Sequence, residues 1–150
     1  PLAGSALPWI DRAMPTGQTR EEWKAAVEAS KLLGHDAAID GVCVRIGALR
    51  SHAQGISIQL KRPLPLDDVE AMLAEAHPWV AVVPNDKAAT LAGLTPAAVA
   101  GSLQVPIGRL RPMSIAPDML AAFTVGDQLL WGAAEPLRRM LRIVREHREA

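Results

Sequence analysis

Apolar and polar positions recur along the chain with two different periods, and each period predicts a different kind of element. After an extended, Pro- and Gly-rich lead-in, residues 19–22 (Thr-Arg-Glu-Glu) have the sequence of a capping box with Thr19 as the N-cap. Apolar residues then recur every three to four positions as far as Gly34, a residue type that commonly ends helices. The pattern predicts a helix over residues 19–33.

Two short segments after this helix have the patterns of β-strands. Residues 41–49 are mostly apolar and rich in β-branched side chains, which is typical of a strand buried on both faces. Residues 56–61 alternate between apolar and polar side chains, as in a half-buried strand. We expect the two to be neighbours in a sheet, joined by a connection over residues 50–55.

The second half of the chain continues with helices and strands. Asp67 is the predicted N-cap of a helix, with Glu70 as its capping-box partner, and His77-Pro78 ends that helix. Pro136 is expected to kink or divide a long C-terminal helix. The remaining predictions are strands over 79–83, 107–111 and 119–125 and the C-terminal helix over 126–148. The order predicts one domain, residues 1–150, of α+β class, with a mainly antiparallel or mixed sheet and helices packed on one face.

Composition narrows the function classes. The 150 residues are 49% hydrophobic and 21% charged, which suits one globular domain, and no apolar run reaches the roughly 20 residues of a membrane span. Sixteen basic and 16 acidic residues give no net charge, which argues against a nucleic-acid partner. The single cysteine and four scattered histidines predict no metal site. The absence of signal-peptide features favours a cytoplasmic protein.

A few polar and charged residues are candidates for ligand binding or catalysis. Glu21 and Lys24 lie three positions apart at the start of the first helix, as either a solvated ion pair or a ligand site. Arg45 lies in the middle of an apolar strand, where a charge needs a partner or a ligand. His52 follows that strand in a loop, as an exposed histidine or a general acid/base. Cys43 is more consistent with an inert thiol.

Together these residue types suit a particular ligand. A carboxylate binds an ammonium group, a guanidinium binds a carboxylate in a fork, and a lysine at a helix start binds phosphate. The set therefore indicates an amino-acid phosphate. Because the sequence contains neither a G-x-G-x-x-G nor a P-loop motif, a nucleotide cofactor would have to be held largely by another part of the protein.

Four segments resemble the C-terminal portion of bacterial aspartate-semialdehyde dehydrogenase. The likeness extends from Leu7 to about Val144, and the block that starts at Phe123 is long and distinctive. The segments are 20–24 (REEWK), 40–52 (DGVCVRIGALRSH), 83–86 (VPND) and 123–139 (FTVGDQLLWGAAEPLRR). The resemblance implies the C-terminal domain fold of the glyceraldehyde-3-phosphate dehydrogenase-like family.

The resemblance also implies an activity. Enzymes of this family convert L-aspartyl 4-phosphate, NADPH and a proton to L-aspartate 4-semialdehyde, NADP and phosphate, in the pathway to lysine, methionine, threonine and diaminopimelate. It implies a homodimer built largely through the sheet of this domain, and NADP bound mainly by an N-terminal domain that these 150 residues do not include. By position, the matching residues are Glu21 (substrate amino group), Lys24 (phosphate), Arg45 (substrate carboxylate), His52 (general acid/base) and Gln128 (cofactor, near the nicotinamide).

One difference from the family pattern limits the activity expected of these 150 residues. The nucleophilic cysteine of the family lies upstream, and Cys43 does not match it, so we expect no turnover from these 150 residues by themselves. The helix over 126–148 would pack on the dinucleotide-binding domain, and without it an apolar stripe would be exposed. Two other hypotheses stay open: a non-catalytic binding or dimerisation module, and a cysteine hydrolase that uses Cys43 and His52.

Overall fold

The computed structural model describes residues 2–149, and the chain divides into two compact units between Ala48 and Leu49. The first unit contains strand β1 (Ala6–Leu7), helix α1 (Arg20–Leu33) and strand β2 (Arg45–Ile46). Strands β1 and β2 form a two-stranded antiparallel ribbon.

Helix α1 begins and ends as its sequence predicts. The Thr19 hydroxyl accepts a hydrogen bond from the backbone N–H of Glu22, and the Glu22 carboxylate accepts one from the backbone N–H of Thr19, which completes the capping box. At the other end Gly34 is left-handed, with φ of 72°, and its N–H donates to the carbonyl of Ser30. The prediction of a helix over residues 19–33 is confirmed.

The prediction of a buried strand over residues 41–49 is wrong. Only Arg45 and Ile46 are in a strand, and both are exposed, as are Val42 and Leu49. The prediction that the strands over 41–49 and 56–61 are neighbours is also wrong, since β2 pairs with β1, and residues 52–59 pair with residues 119–126. A two-stranded ribbon of two-residue strands is too small to bury its own side chains, so this apolar, β-branched run is exposed instead of lying in a sheet interior.

The second unit is built on a four-stranded mixed sheet. The strand order is β3-β6-β5-β4, with β4 parallel to β5 and the other pairs antiparallel. Helix α2 packs against β4 and β5, and α4 packs against β6. The elements are β3 (His52–Gln59), α2 (Leu66–Ala76), β4 (Val80–Val82), α3 (Lys87–Gly93), α4 (Pro96–Val99), β5 (Val105–Pro112) and β6 (Met119–Gly126). The α+β class with a mixed sheet is confirmed.

The core of this unit lies where the helices meet the sheet. Leu94, Val99 and Val125 are buried together, with Ala53 and Phe123 among the side chains packed around them. Leu94 ends α3 and Val99 lies in α4, whereas Phe123 and Val125 come from the central strand β6 and Ala53 from the edge strand β3. Leu94 and Val99, which lie between the predicted strands over 79–83 and 107–111, therefore supply two of the three buried residues of this cluster.

Two element boundaries differ from the predictions. Strand β3 begins at His52, so residues 50–55 are not a connection and His52 does not lie in a loop. Helix α2 begins at Leu66 with Pro65 as its N-cap, and no side chain caps it, so the capping box of Asp67 and Glu70 is absent. Asp67 instead lies within the first turn, where a negative charge favours the helix dipole.

The C-terminal helical segment is divided ahead of Pro136. A π-helical turn (Leu130–Ala134) precedes helix α5 (Glu135–Glu149). Proline has no N–H to continue the ladder of hydrogen bonds, and a wider turn is one way to accommodate it. On α5 the side chains of Leu137, Leu141 and Val144 are exposed. No helix within residues 2–149 has both the length and the apolar character to cross a membrane.

Candidate functional site

The first turns of α1 carry two predicted site residues, and the structure brings them together. The Nζ atom of Lys24 lies 3.2 Å from Oε2 of Glu21 and 3.8 Å from Oε1 of Glu28. The Lys24 and Glu21 side chains are 36% and 41% exposed. An ion pair of that exposure contributes at most about 1 kcal/mol, so either group can exchange its partner for a charged ligand.

Glu22 connects the first turn of α1 to Cys43, which is 21 positions away in sequence. Its carboxylate is buried, and it accepts the backbone N–H of Thr19 at 2.7 Å and that of Cys43 at 2.9 Å. These backbone hydrogen bonds, the one from Thr19 first, lower the pKa of Glu22. The capping box was predictable, but the bond to Cys43 was not, because it joins residues 21 positions apart.

Arg45 is exposed, so the argument that its charge is buried was wrong. It lies opposite Leu7 in the antiparallel ribbon, and within residues 2–48 no carboxylate is within salt-bridge distance of it. Its guanidinium is therefore available to an anion. Glu22 restrains the backbone two residues before Arg45, at Cys43, and thereby limits how far this strand can move from α1.

The environment of Cys43 opposes formation of a thiolate. Burial raises the pKa of the thiol, and the negative charges of Glu22 and Glu21 raise it further. A nucleophilic cysteine needs the opposite environment, with a cation or a helix N-terminus that favours the thiolate. These features support the interpretation of Cys43 as an inert thiol and weigh against the cysteine hydrolase hypothesis.

The other two predicted site residues share a cleft in the second unit. His52, the exposed first residue of β3, lies opposite Gly126 of β6 in the sheet register. Gln128 follows β6 by two residues, and its side chain lines the same open cleft of about 390 Å³. The other lining residues are Gln54, Val105, Thr124, Val125, Gly126, Asp127, Trp131 and Gly132.

Gln128 has a polar atom without a partner. Its side-chain Oε1 is buried and accepts no hydrogen bond within the part of the chain that the structure describes. Such an atom is costly unless a donor reaches it. An N–H group of a ligand in the cleft would satisfy it, and the carboxamide of a nicotinamide ring is one chemically suitable donor.

Asp127, between these cleft residues in sequence, is completely buried and accepts several hydrogen bonds. Its Oδ2 atom lies 2.7 Å from both Nε and Nη2 of Arg50 and 2.7 Å from the backbone N of Gly101. Its Oδ1 atom accepts the N–H of Leu129 at 3.0 Å. The hydrogen bond from Arg50 is the largest of the causes that lower the pKa of Asp127 to about 2, so this carboxylate is charged at neutral pH.

Trp131, which lines the cleft, packs against a second tryptophan. The Trp131 indole N–H donates to the carbonyl of Leu103 at 3.2 Å, and the ring meets Trp79 edge to face, with 4.5 Å between centroids. The guanidinium of Arg139 lies 3.7 Å from the centroid of Trp79, and Arg139 also binds the buried carboxylate of Glu135. The hydrogen bond to Leu103 and the edge-to-face contact with Trp79 fix Trp131 at the start of the C-terminal helical segment. Glu135 itself is not among the residues that line the cleft.

The predicted site residues therefore fall into two groups. Glu21, Lys24 and Arg45 belong to the first unit, and His52 and Gln128 belong to the second. Sequence reasoning missed Asp127, although an acidic residue between a strand and a helix is a typical N-terminal capping signal. Within residues 2–149 no group of three His, Cys, Asp or Glu side chains is placed to hold a metal ion.

Comparisons with known proteins identify relatives of the whole segment. A family profile described as semialdehyde dehydrogenase, dimerisation domain, matches residues 1–131. The structure of aspartate semialdehyde dehydrogenase from Francisella tularensis is similar over 96% of this chain, with 47% sequence identity and a TM-score of 0.92. The match covers 40% of the Francisella chain.

Two more distant structures share the fold. Aspartate semialdehyde dehydrogenase II from Vibrio cholerae, complexed with ASA, matches 95% of this chain and 41% of its own, with 21% identity and a TM-score of 0.84. Aspartate semialdehyde dehydrogenase with NADP from Candida albicans matches 86% of this chain and 41% of its own, with 18% identity and a TM-score of 0.64. The chain thus spans about two fifths of the length of these relatives.

Proposed function

The chain belongs to the semialdehyde dehydrogenase dimerisation-domain family, and from this membership we propose that it is the substrate-binding and dimerisation part of an aspartate-semialdehyde dehydrogenase. The 47% identity to the Francisella tularensis enzyme supports this choice of substrate. The proposed reaction is the NADPH-dependent reductive dephosphorylation of L-aspartyl 4-phosphate to L-aspartate 4-semialdehyde, with release of phosphate.

Three charged residues of the first unit are proposed to bind the substrate. The Glu21 carboxylate binds the α-ammonium group, and the Arg45 guanidinium binds the α-carboxylate in a two-pronged hydrogen bond. Lys24 binds the phosphate group. The exposure of Arg45 and the partial exposure of the Glu21–Lys24 pair support these roles, because a substrate can reach all three.

His52 is proposed to be the general acid/base. It is exposed at the start of a sheet strand, so its backbone is held by the β-ladder while its imidazole remains open to the cleft. The observation that carries this proposal is the shared cleft. His52 and Gln128, which the resemblance assigns to proton transfer and to the nicotinamide, come from different parts of the sequence and line one cavity.

The residues present suit a nicotinamide cofactor in one respect. The unpartnered Oε1 of Gln128 is an acceptor for the carboxamide N–H, and NADPH, when bound, supplies the hydride for reduction. The Candida albicans relative is a structure with NADP, which supports this choice of cofactor. Most of the NADP site and the nucleophilic cysteine are proposed to lie upstream of this segment, so the segment alone is proposed to be inactive.

A homodimer is part of the proposal. The family profile is that of a dimerisation domain, and the first unit exposes several large apolar side chains that are suited to burial. They include Trp9, Trp23, Val27, Ile39, Val42 and Val44. A cytoplasmic location and the absence of nucleic-acid and membrane partners belong to the same proposal.

The direct test is an assay of the polypeptide encoded by the complete reading frame. With L-aspartate 4-semialdehyde and NADP⁺, the proposal requires continued NADPH formation to depend on added inorganic phosphate, because hydride transfer leaves an acyl-enzyme that phosphate must cleave before the next turnover. The 150-residue segment alone should give no NADPH under the same conditions. No phosphate-dependent NADPH from the complete polypeptide, together with a stable dimer in light scattering, would favour the non-catalytic module instead.

A further inference from the structure

The ion pair of Asp127 and Arg50 lies beside the cleft and has no part in the proposed binding of substrate or cofactor. Asp127 is fully buried, whereas the Arg50 side chain is 37% exposed. Both Nε and Nη2 of Arg50 lie 2.7 Å from the same carboxylate oxygen. A buried charge with this many donors is held in one place, because any shift would leave the charge short of partners.

This pair lies close in sequence to both predicted site residues of the cleft. Arg50 precedes His52 by two residues, and Asp127 directly precedes Gln128. The backbone carbonyl of Asp127 also accepts the N–H groups of Leu130 and Trp131, at 3.2 and 3.0 Å, and so begins the turn that carries Trp131. Asp127 thereby contacts both the residue two positions before His52 and the turn that carries Trp131.

The residue between Arg50 and His52 is in an unfavourable conformation. Ser51 has φ of 78°, in the left-handed region, and it is buried with its hydroxyl unpartnered among the described residues. A non-glycine residue persists in this region only where its surroundings restrain it. The restraints here are the Arg50–Asp127 pair on one side and the pairing of His52 with Gly126 on the other.

We propose that the Arg50–Asp127 ion pair positions His52 against Gln128 for the reaction, and that both are positioning residues that do not touch the substrate. This inference rests on the proposed function of His52. The pair would act by holding the backbone turn at Ser51 in a fixed position relative to the start of the C-terminal helical segment. Misplacement of an acid/base group by about 1 Å can lower a rate about a hundredfold.

The test compares two buried carboxylates in the complete polypeptide. Asp127→Asn removes the charge at the cleft, and Glu135→Gln is the matched control. Glu135 is also buried, binds two arginines (Arg138 and Arg139) and has a pKa lowered to about 2, but it does not line the cleft. We expect Asp127→Asn to lower kcat at least tenfold while KM for the semialdehyde changes less than threefold. Glu135→Gln should leave kcat within twofold of the parent, although both variants lose thermal stability.

Variants of Arg50, the other residue of the pair, distinguish a positioning role from a role in folding. Arg50→Lys keeps one charged donor and should retain more of kcat than Arg50→Gln, at similar KM. If Asp127→Asn does not fold, these two variants carry the test. The proposal would be overturned if Asp127→Asn and Arg50→Gln had the kcat of the parent and lost stability to the same extent as Glu135→Gln. The ion pair would then have only a structural role.

An NMR measurement distinguishes failure of this inference from failure of the proposed function. In a polypeptide with ¹³C-labelled histidine, the His52 imidazole signal is identified by its loss in His52→Gln. Asp127→Asn should shift or split that signal, and Glu135→Gln should not. An inactive parent in which Asp127→Asn still moves the His52 signal would reject the proposed reaction but support positioning. An unmoved signal would reject positioning whether or not the parent is active.

Discussion

The carboxylate of Glu22 accepts the backbone N–H of Cys43 at 2.9 Å, across 21 positions of sequence. The same carboxylate caps helix α1 through Thr19. One buried side chain therefore joins the helix that carries Glu21 and Lys24 to the segment that leads into Arg45. The three residues proposed to bind the substrate are all on elements that Glu22 connects.

Loss of this connection should affect both stability and substrate binding. Glu22→Ala removes the two backbone hydrogen bonds, and we expect Tm to fall by roughly 3 °C or more and KM for the semialdehyde to rise. Glu28→Ala, on the same helix but at an exposed position, is the control and should change Tm by less than about 1 °C. Calorimetry and steady-state kinetics measure the two effects. A Glu22→Ala protein with the Tm and KM of the parent would contradict this account of the first unit.

The stability of the second unit should depend on pH in the acid range. The pKa values of Asp127 and Glu135 fall to about 2 on folding, from ordinary values of 3.8 and 4.5, so the folded state binds fewer protons between these values. Stabilisation by both groups is therefore complete above about pH 5 and is lost as pH falls towards 2. The Tm difference between parent and Asp127→Asn should be largest near pH 7 and should shrink steadily below pH 4. A difference that is constant from pH 7 to pH 2 would contradict the assignment.

Gly108 on β5 has no room for a side chain. A Cβ atom there would lie 2.9 Å from the carbonyl oxygen of Val83 and 3.1 Å from Cδ2 of Leu94. Because the nearest atom belongs to the backbone, Gly108→Ala should destabilise the protein by about 1–3 kcal/mol. Gly55→Ala is the control in the same sheet, where the nearest atom, on Phe123, is at an ordinary 3.9 Å. Denaturant unfolding of both variants measures the difference, and equal stabilities would show that β4 and β5 are not this closely packed.

The thiol of Cys43 should react slowly. Burial and the nearby carboxylates of Glu22 and Glu21 raise its pKa, so at pH 7 a smaller fraction is thiolate than in a free thiol. Cys43 is the only cysteine of the segment, so labelling of the folded 150-residue chain reports on it alone. Modification by iodoacetamide should be slower than that of N-acetylcysteine, and faster in denaturant. Rapid labelling of the folded chain near neutral pH would return the cysteine hydrolase to consideration.

The sequence predicted local elements more reliably than it predicted which elements pair. Capping residues and Gly34 determined helix α1 because those signals act through hydrogen bonds within a few residues. The prediction of a buried strand over residues 41–49 failed because apolar and β-branched composition does not reveal whether a second layer covers a strand. Its neighbour in the sheet is set by contacts with β1, nearly 40 positions earlier in the chain.

In the candidate site, too, some residues could be predicted from the sequence but their long-range contacts could not. Residue types and resemblance indicated His52 and Gln128, but their common cleft depends on the pairing of His52 with Gly126, which only the folded sheet supplies. Asp127 was missed because its main partner, Arg50, lies 77 positions away. The burial of Arg45 was predicted wrongly because the strand around it is short and has no covering layer.

The most direct measurement is the effect of His52→Gln on the phosphate-dependent formation of NADPH by the complete polypeptide. If His52 transfers the proton, kcat should fall by about a hundredfold or more while KM changes little, since the group acts in the transition state. His147→Gln, on the exposed end of α5, is the matched control and should retain the rate of the parent. A His52→Gln enzyme within a few-fold of the parent kcat would contradict the role assigned to His52 and, with it, the account of the cleft as the catalytic centre.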